Sequence, residues 1–339
     1  MQIHRSLLLI STLALAAGCP TEDPSPFRGV TPDAGIRGVI CEPNGVNESA
    51  GANVALFPDE DEDGVPDAGG ALATAVTDYS GEFLLENIGG GTYVAEARKG
   101  HRIFSFPVVS TGGIQQRLER QCFPGDSAAV AMIEGSCDNP ASVLEGLGYT
   151  VESLDETELG LLTNPAELDP WDVLLAPCGL PTDWMPQAET VGTVLADWVA
   201  SGGGLYVSGD AWPLLEAIDP ELIDFVGDED EDPEAPNVGF GVEVSAQVSD
   251  PSLSEALGGT LEIVYSDNWS MIETPTEGWG LLAFGTVQTL SGQFFQDAPL
   301  AMMLRSQGQE SGPILYTTFG TQDANDEMTL ALGQWITEL

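Results

Sequence analysis

The hydrophobic period of this chain changes once, near residue 126, and that change limits the fold more than any other feature. Before it, short alternating runs such as "ANVALF", "ATAVT", "EFLLEN" and "TYVAEA" are separated by Asn-Gly, Ser-Gly and Gly-Gly turns. A period of two buries one face of a strand and exposes the other, which predicts a small antiparallel β-sandwich over residues 35–123. After it, continuous apolar runs ("AAVAMIEG", "WDVLLAPCG", "GLYVSGD") and the strand "YTVESLD" alternate with the helical patterns "NPASVLEGLG" and "QAETVGTVLADWVASGG". Strands without a polar face need cover on both sides, so residues 126–339 read as an α/β, three-layer domain built on a parallel sheet. With 42% hydrophobic residues in 339, the chain has apolar material for both cores.

The order "GVICEPNG", "GANVALF", "AVTDYSGEFLLENIGGGTYVAEARKG" resembles the carboxypeptidase regulatory-like domain, a transthyretin-like sandwich. That resemblance implies a binding or structural accessory without peptidase chemistry. The second region, closing on "GPILYTTFGTQDANDEMTLALGQWI", resembles the class I glutamine amidotransferase-like fold, which is flavodoxin-like in topology and is found also in trehalose-utilisation-like proteins. In that family a catalytic cysteine sits on the elbow after the strand that "GLYVSGD" resembles, and a histidine and a glutamate follow the strand that "ILYTTFG" resembles. Here Ser208 or Gly209 stands at the elbow, Gly320 about where the histidine would be, and Gln322 near the glutamate.

A serine hydroxyl needs a base within hydrogen-bond reach. The two histidines are His4, in the leader, and His101, in the sandwich, and Arg305 is the one basic residue of the α/β region. No catalytic set is therefore assigned. The candidates to test are Ser208, Asp210 and Glu134, with Asp138 and Asp183 as further carboxylates near predicted strand ends. Such carboxylates could hold a metal or cleave a glycosidic bond, so a carboxylate- or metal-dependent hydrolase acting on carbohydrate is the alternative to a silent binding domain. Trp184 and Trp212, just beyond strand ends, are the candidate platforms for a carbohydrate ligand.

One inserted loop, "DEDEDGVPD", spaces Asp59, Asp61, Asp63, the Val65 carbonyl and Asp67 like the first nine positions of a calcium loop, with Gly64 at the sharp turn. Gly70 stands where a bidentate glutamate would follow. The expected affinity for Ca2+ is weak, on the order of 0.1–1 mM; the competing reading is a solvated acidic hairpin tip. The acidic run 227–237 lacks the turn glycine and reads as a solvated insertion.

Residues 1–18 combine a short basic start with an apolar run too short to span a bilayer, the pattern of an export signal. "LALAAGC" resembles a bacterial lipobox, which implies an acylated Cys19 anchoring the protein in a lipid bilayer; Pro20 in place of aspartate implies the outer membrane, facing the periplasm or the surface. Residues 19–34 are an acidic, proline-rich tether. The remaining four cysteines suit two disulfides in an exported chain; of the three possible pairings, proximity along the chain favours one bond inside each domain, Cys41 with Cys122 and Cys137 with Cys178. Acids outnumber bases 54 to 9, a net charge of −45, which argues against nucleic acid and anionic membrane surfaces as partners. The sequence thus points to a lipid-anchored extracytoplasmic protein that binds or scaffolds a protein or carbohydrate.

Overall fold

The computed structural model describes residues 35–339 apart from 68, 227–237, 240–242, 266–268, 276–277, 290–291, 306–310 and 323. The leader, Cys19, the tether and the acidic run 227–237 lie outside the described residues.

The first eight strands are β1 (Gly35–Cys41), β2 (Asn53–Pro58), β3 (Ala73–Val76), β4 (Glu82–Glu86), β5 (Gly90–Lys99), β6 (Arg102–Thr111), β7 (Gln115–Arg117) and β8 (Gln121–Cys122). They form one sheet in the order β4-β1-β7, with β8 also on β1, and another in the order β3-β2-β5-β6. Between them lies a single core that includes Ile36, Ile40, Val54, Leu56, Phe83, Leu85, Ala95, Ala97 and Phe106. The alternation in "NVALF" and "EFLLE" supplies these residues: Val54 and Leu56, then Phe83 and Leu85, point inward while Asn53, Leu84 and Glu86 face out. The expected all-antiparallel pairing does not hold throughout, because β7 and β8 pair with β1 in parallel. β1 is a central strand, and the chain returning after β6 fills its open edge while running in the same direction. Cys41 and Cys122 are register partners in that parallel pair and are disulfide-bonded, with a Cα–Cα distance of 4.3 Å.

The second region holds β9 (Val130–Ile133), β10 (Val151–Leu154), β11 (Val173–Ala176), β12 (Gly204–Ser208), β13 (Ile223–Phe225), β14 (Val238–Gly239), β15 (Glu243–Val248), β16 (Thr260–Val264), β17 (Trp269–Ser270), β18 (Ile272–Pro275), β19 (Trp279–Gln288), β20 (Phe294–Leu304) and β21 (Ile314–Thr317). Its helices are α1 (Ala141–Gly146), α2 (Pro165–Leu168), α3 (Ala188–Ala200), α4 (Pro213–Ile218), α5 (Pro251–Leu257) and α6 (Asp326–Ile336). Nine of the strands make one sheet, ordered β10-β9-β11-β12-β21-β20-β19-β15-β16. Its first five strands are mutually parallel, and the other four join antiparallel. An entirely parallel sheet was expected; the antiparallel extension comes from the residues between β12 and β21, whose alternating runs such as "EVSAQV" carry a polar face.

The five parallel strands, numbered by their place in the chain, run 2-1-3-4-5, so the order reverses between β9 and β11. Side chains from alternate positions feed two cores. Val130, Met132, Val173, Leu175 and Leu315 meet α1 and α6 on one face; Ala131, Ile133, Leu174, Leu205 and Val207 meet α3 and α4 on the other. In α3, Val191, Val194, Leu195 and Trp198 form the buried stripe that the helical spacing predicts. Among the described residues no helix is long and apolar enough to cross a membrane.

Candidate functional site

In open α/β sheets, ligands bind outside the carboxyl ends of the strands where the strand order reverses. Here that point lies between the ends of β9 and β11, and the segments that follow them are joined by the Cys137–Cys178 disulfide, Cα–Cα 5.6 Å. One strand further along, β12 ends at Ser208 in extended backbone, and Gly209 turns the chain with φ 54°. The elbow expected from "GLYVSGD" is present.

The chemistry at that elbow is closed. Ser208 is completely buried. Its hydroxyl donates to Asp138 Oδ2 at 2.6 Å and accepts the Cys178 backbone N–H at 3.0 Å. Asp138 is buried too, and its Oδ1 accepts both the backbone N–H and the hydroxyl of Thr321. One carboxylate thereby ties together the segment after β9, the end of β12 and the segment after β21. Gly320, at the position expected to stand in for a histidine, packs directly on this carboxylate: a Cβ there would come within 2.5 Å of Asp138 Cγ. The space is filled by a carboxylate from the segment after β9, a strand separated from β21 by β11 and β12 in the sheet, and no side chain fits at 320 without displacing it.

The other candidates are scattered. Asp210 is exposed, accepts the Gly179 N–H at 2.6 Å, and has a carboxylate oxygen within 4.8 Å of the Cys137 and Cys178 sulfurs, which are bonded to each other. Glu134 and Asp183 are exposed and join no group of potential metal ligands among the described residues. Trp184 is a correction: at 4% exposed it packs in the core shared with α3, because the turn before that helix folds its indole inward, and it offers no free face. Trp212 is half-buried, its ring 5.5 Å from that of Phe225. Beneath the elbow, Tyr206 donates or accepts across 3.0 Å with Thr317, and burial, helped by the Asp138 charge, raises its phenol well above the usual range.

In the sandwich loop, Asp59, Asp61 and Asp63 do converge, with ligand atoms within 4.8 Å of one another. Asp59 is buried and already accepts the Asp63 and Gly64 N–H groups, while Asp67 Oδ2 accepts the Glu60 N–H at 2.7 Å. Val65 N–H is held by Asp63 Oδ1, and the Val65 side chain is exposed.

A polar centre that the sequence reading missed sits where the two regions meet. Glu42, 3% exposed, accepts a hydrogen bond from the Tyr149 hydroxyl, lies 3.3 Å from Arg102 Nη1 and 3.9 Å from Lys99 Nζ. Arg102 also stacks over the rings of Tyr149 and Phe123, at 5.0 and 5.4 Å. Lys99 reaches Gln334 Oε1 at 3.3 Å, and His101 N–H donates to the Leu339 carbonyl at 3.0 Å. The turn between β5 and β6 needs glycine, since Gly100 has φ 56° and a Cβ there would strike that carbonyl at 1.9 Å. A signal for this centre was in plain view: residues 98–102, "RKGHR", hold three of the nine cations and one of the two histidines.

No protein-family model matches the chain, and no curated protein matches it. Among solved structures it is similar to the mmIFT52 N-terminal domain (16% identity, 62% of this chain and 97% of that one, TM-score 0.40). It is similar also to a protein described as a GMP synthase component from Thermoplasma acidophilum (14% identity, 62% and 94%, TM-score 0.38). A third is the glutaminase domain of Trypanosoma brucei CTPS with bound acivicin (11% identity, 62% and 92%, TM-score 0.38).

Proposed function

We propose that this protein is a lipid-anchored, extracytoplasmic binding or scaffolding protein, in which a transthyretin-like sandwich of the carboxypeptidase regulatory-like kind carries a catalytically silent amidotransferase-like domain. The observation that carries the reading is the Asp138–Ser208–Thr321 network. It occupies the place of a nucleophile and its base with a buried hydroxyl hydrogen-bonded to a buried carboxylate. An acceptor carboxylate can hold that hydroxyl, but acyl transfer also needs solvent access and a group that returns the proton to the leaving amine, the role an imidazole serves near neutral pH. No histidine occurs between residues 126 and 339. The 2-1-3-4-5 strand order supports the amidotransferase-like assignment, and the two-sheet core of residues 35–123 supports the sandwich.

A panel of amides, glutamine and glycosides incubated with the purified chain is expected to show no turnover above the uncatalysed rate. Turnover that disappears in Ser208→Ala, Asp210→Asn or Glu134→Gln would overturn the silent-domain reading. In the same expression host, Cys19→Ser is expected to move the protein from the membrane to the soluble fraction; unchanged partition would remove the lipid anchor from the proposal.

The sandwich loop is proposed to take Ca2+ weakly through Asp59, Asp61 and Asp63, whose convergence supports it. Calorimetry should register binding at about 0.1–1 mM that is lost in Asp61→Ala; absence of heat at several millimolar calcium defeats the idea.

A further inference from the structure

A groove of about 670 Å3 runs along the seam between the sandwich and the antiparallel end of the nine-stranded sheet, away from the strand-end crevice. That volume is in the range of sites for small organic ligands, and domain interfaces are a preferred place for them. Three cations line it: Arg98, Lys99 and Arg305. In a chain with nine cations against 54 acids, a third of the cationic residues line one concavity. We propose that this groove binds a small organic carboxylate.

Lys99 is the buried cation of the site, 4% exposed, and the only lysine of the chain. Its nearest counter-charge, Glu42, is shared with Arg102, so two buried cations lean on one carboxylate. Burial holds the Lys99 ammonium down to about 8, with Glu42, Glu338 and Asp250 pulling it up and Arg102 opposing them. An anion arriving in the groove adds to the counter-charge that these carboxylates supply.

Arg98 and Arg305 are exposed and pair with Glu96 and Glu338 respectively. Solvated pairs of this kind contribute about 0–1 kcal/mol, so either guanidinium can exchange its partner for a ligand carboxylate, which it grips bidentately. Leu281, Leu282 and Met303 add an apolar wall, which calls for a carbon skeleton on the ligand, while Asn53 and Ser249 offer groups for hydroxyls or amides. Asp250 and Glu338 at the groove, together with the net charge of −45, repel a long polyanion and favour a ligand with one or two charges. The proposal stands whether or not the crevice is silent, because it uses none of the same residues.

Two sources share this chemistry, an acidic sugar and an acidic dipeptide, and the experiment separates them. Digalacturonate and N-acetyl-aspartyl-aspartyl amide are titrated into the full chain, alongside their neutral counterparts digalactose and N-acetyl-asparaginyl-asparaginyl amide, and alongside acetate and inorganic phosphate. The expected result is that one acidic ligand binds at least about tenfold more tightly than its neutral counterpart, a difference of about 1.4 kcal/mol. Arg98→Gln and Arg305→Gln, both at exposed positions, should each weaken that binding about fivefold or more while leaving the denaturant midpoint unchanged. In protein labelled with 13C-lysine, the single side-chain resonance should titrate at higher pH with ligand bound. Equal affinity for acidic and neutral ligands, or no saturation by either acid below about 10 mM, overturns the proposal, as does a lysine midpoint that does not move. Acetate or phosphate binding as tightly as the larger acids overturns it too, since the site would then be a bare ion hole without use for its apolar wall.

Discussion

The crevice at the strand ends and the seam between the two regions each bury a carboxylate that ties distant parts of the chain together, and they satisfy it in opposite ways. Asp138 is held by neutral donors, the Ser208 and Thr321 hydroxyls and the Thr321 N–H. Glu42 is held by two cations and the Tyr149 phenol. The neutral network fixes one compact arrangement of strand ends at no cost in buried positive charge. The ionic cluster lies at the seam, where the Tyr149 phenol and Gln334 reach it from the second region, and its two cations share one carboxylate. In this acidic chain, the closed site is the one the fold would normally keep open, and the open one lies where the scarce cations gather.

The sharpest way to break this contrast is a charge-neutralising, shape-preserving change at each carboxylate. Glu42→Gln leaves Lys99 and Arg102 buried without a counter-charge and is expected to destabilise the protein by about 3–5 kcal/mol, read as a drop in denaturant midpoint. A cost below about 1 kcal/mol would mean that the cluster is hydrated and the seam loosely held.

The pH dependence comes next. Below about pH 8 Lys99 is protonated in both folded and unfolded chains; above it the folded chain sheds the proton while the unfolded one retains it up to the ordinary lysine value of 10.5. The unfolded state then binds more protons, so stability rises with pH, by about 2–3 kcal/mol between pH 8 and 10. Above pH 10 the trend reverses, because Tyr149, Tyr206, Tyr265 and Tyr316 are kept neutral by burial and ionise freely once unfolded. Midpoints measured from pH 7 to 11 should trace a maximum near pH 10, and Lys99→Met should remove the rising limb; a rise that persists in that variant refutes the assignment.

The smallest effect is expected at the crevice. Asp138→Asn keeps an acceptor for Thr321, and the Ser208 hydroxyl can reorient toward the new amide, so the loss should be about 1 kcal/mol. A cost matching that of Glu42→Gln would erase the distinction between the two centres.

Much of the fold was legible because its signals are local. The strands ending at Ile133, Ala176, Ser208 and Thr317 announce themselves as apolar runs, and α3 as a stripe repeating every three to four residues. Both disulfides follow from counting four cysteines and keeping one bond inside each of the two regions. The parallel return of β7 and β8 onto β1 was not legible, nor was the antiparallel extension from β15 to β20. Strand polarity and neighbour order are set by which open edge a returning chain meets, and no residue encodes that alone. The site divides the same way. Serine at the elbow and the missing imidazole are plain in the text, whereas Asp138 as a hub is not: it is separated from Thr321 by 183 positions and is one acid among 54.

By itself the sequence determined the break between two kinds of core, the absence of a histidine base from the larger one, and the overall negative charge, because each is a property of residue type and spacing. Only the tertiary structure decided that Asp138 fills the space beside Gly320, that Trp184 turns inward, and that the "RKGHR" hairpin gathers Glu42 from its own region and meets Tyr149 and Gln334 across the seam. Those outcomes rest on contacts between residues far apart in the chain, whose energies depend on burial and distance and therefore exist only once the chain has folded.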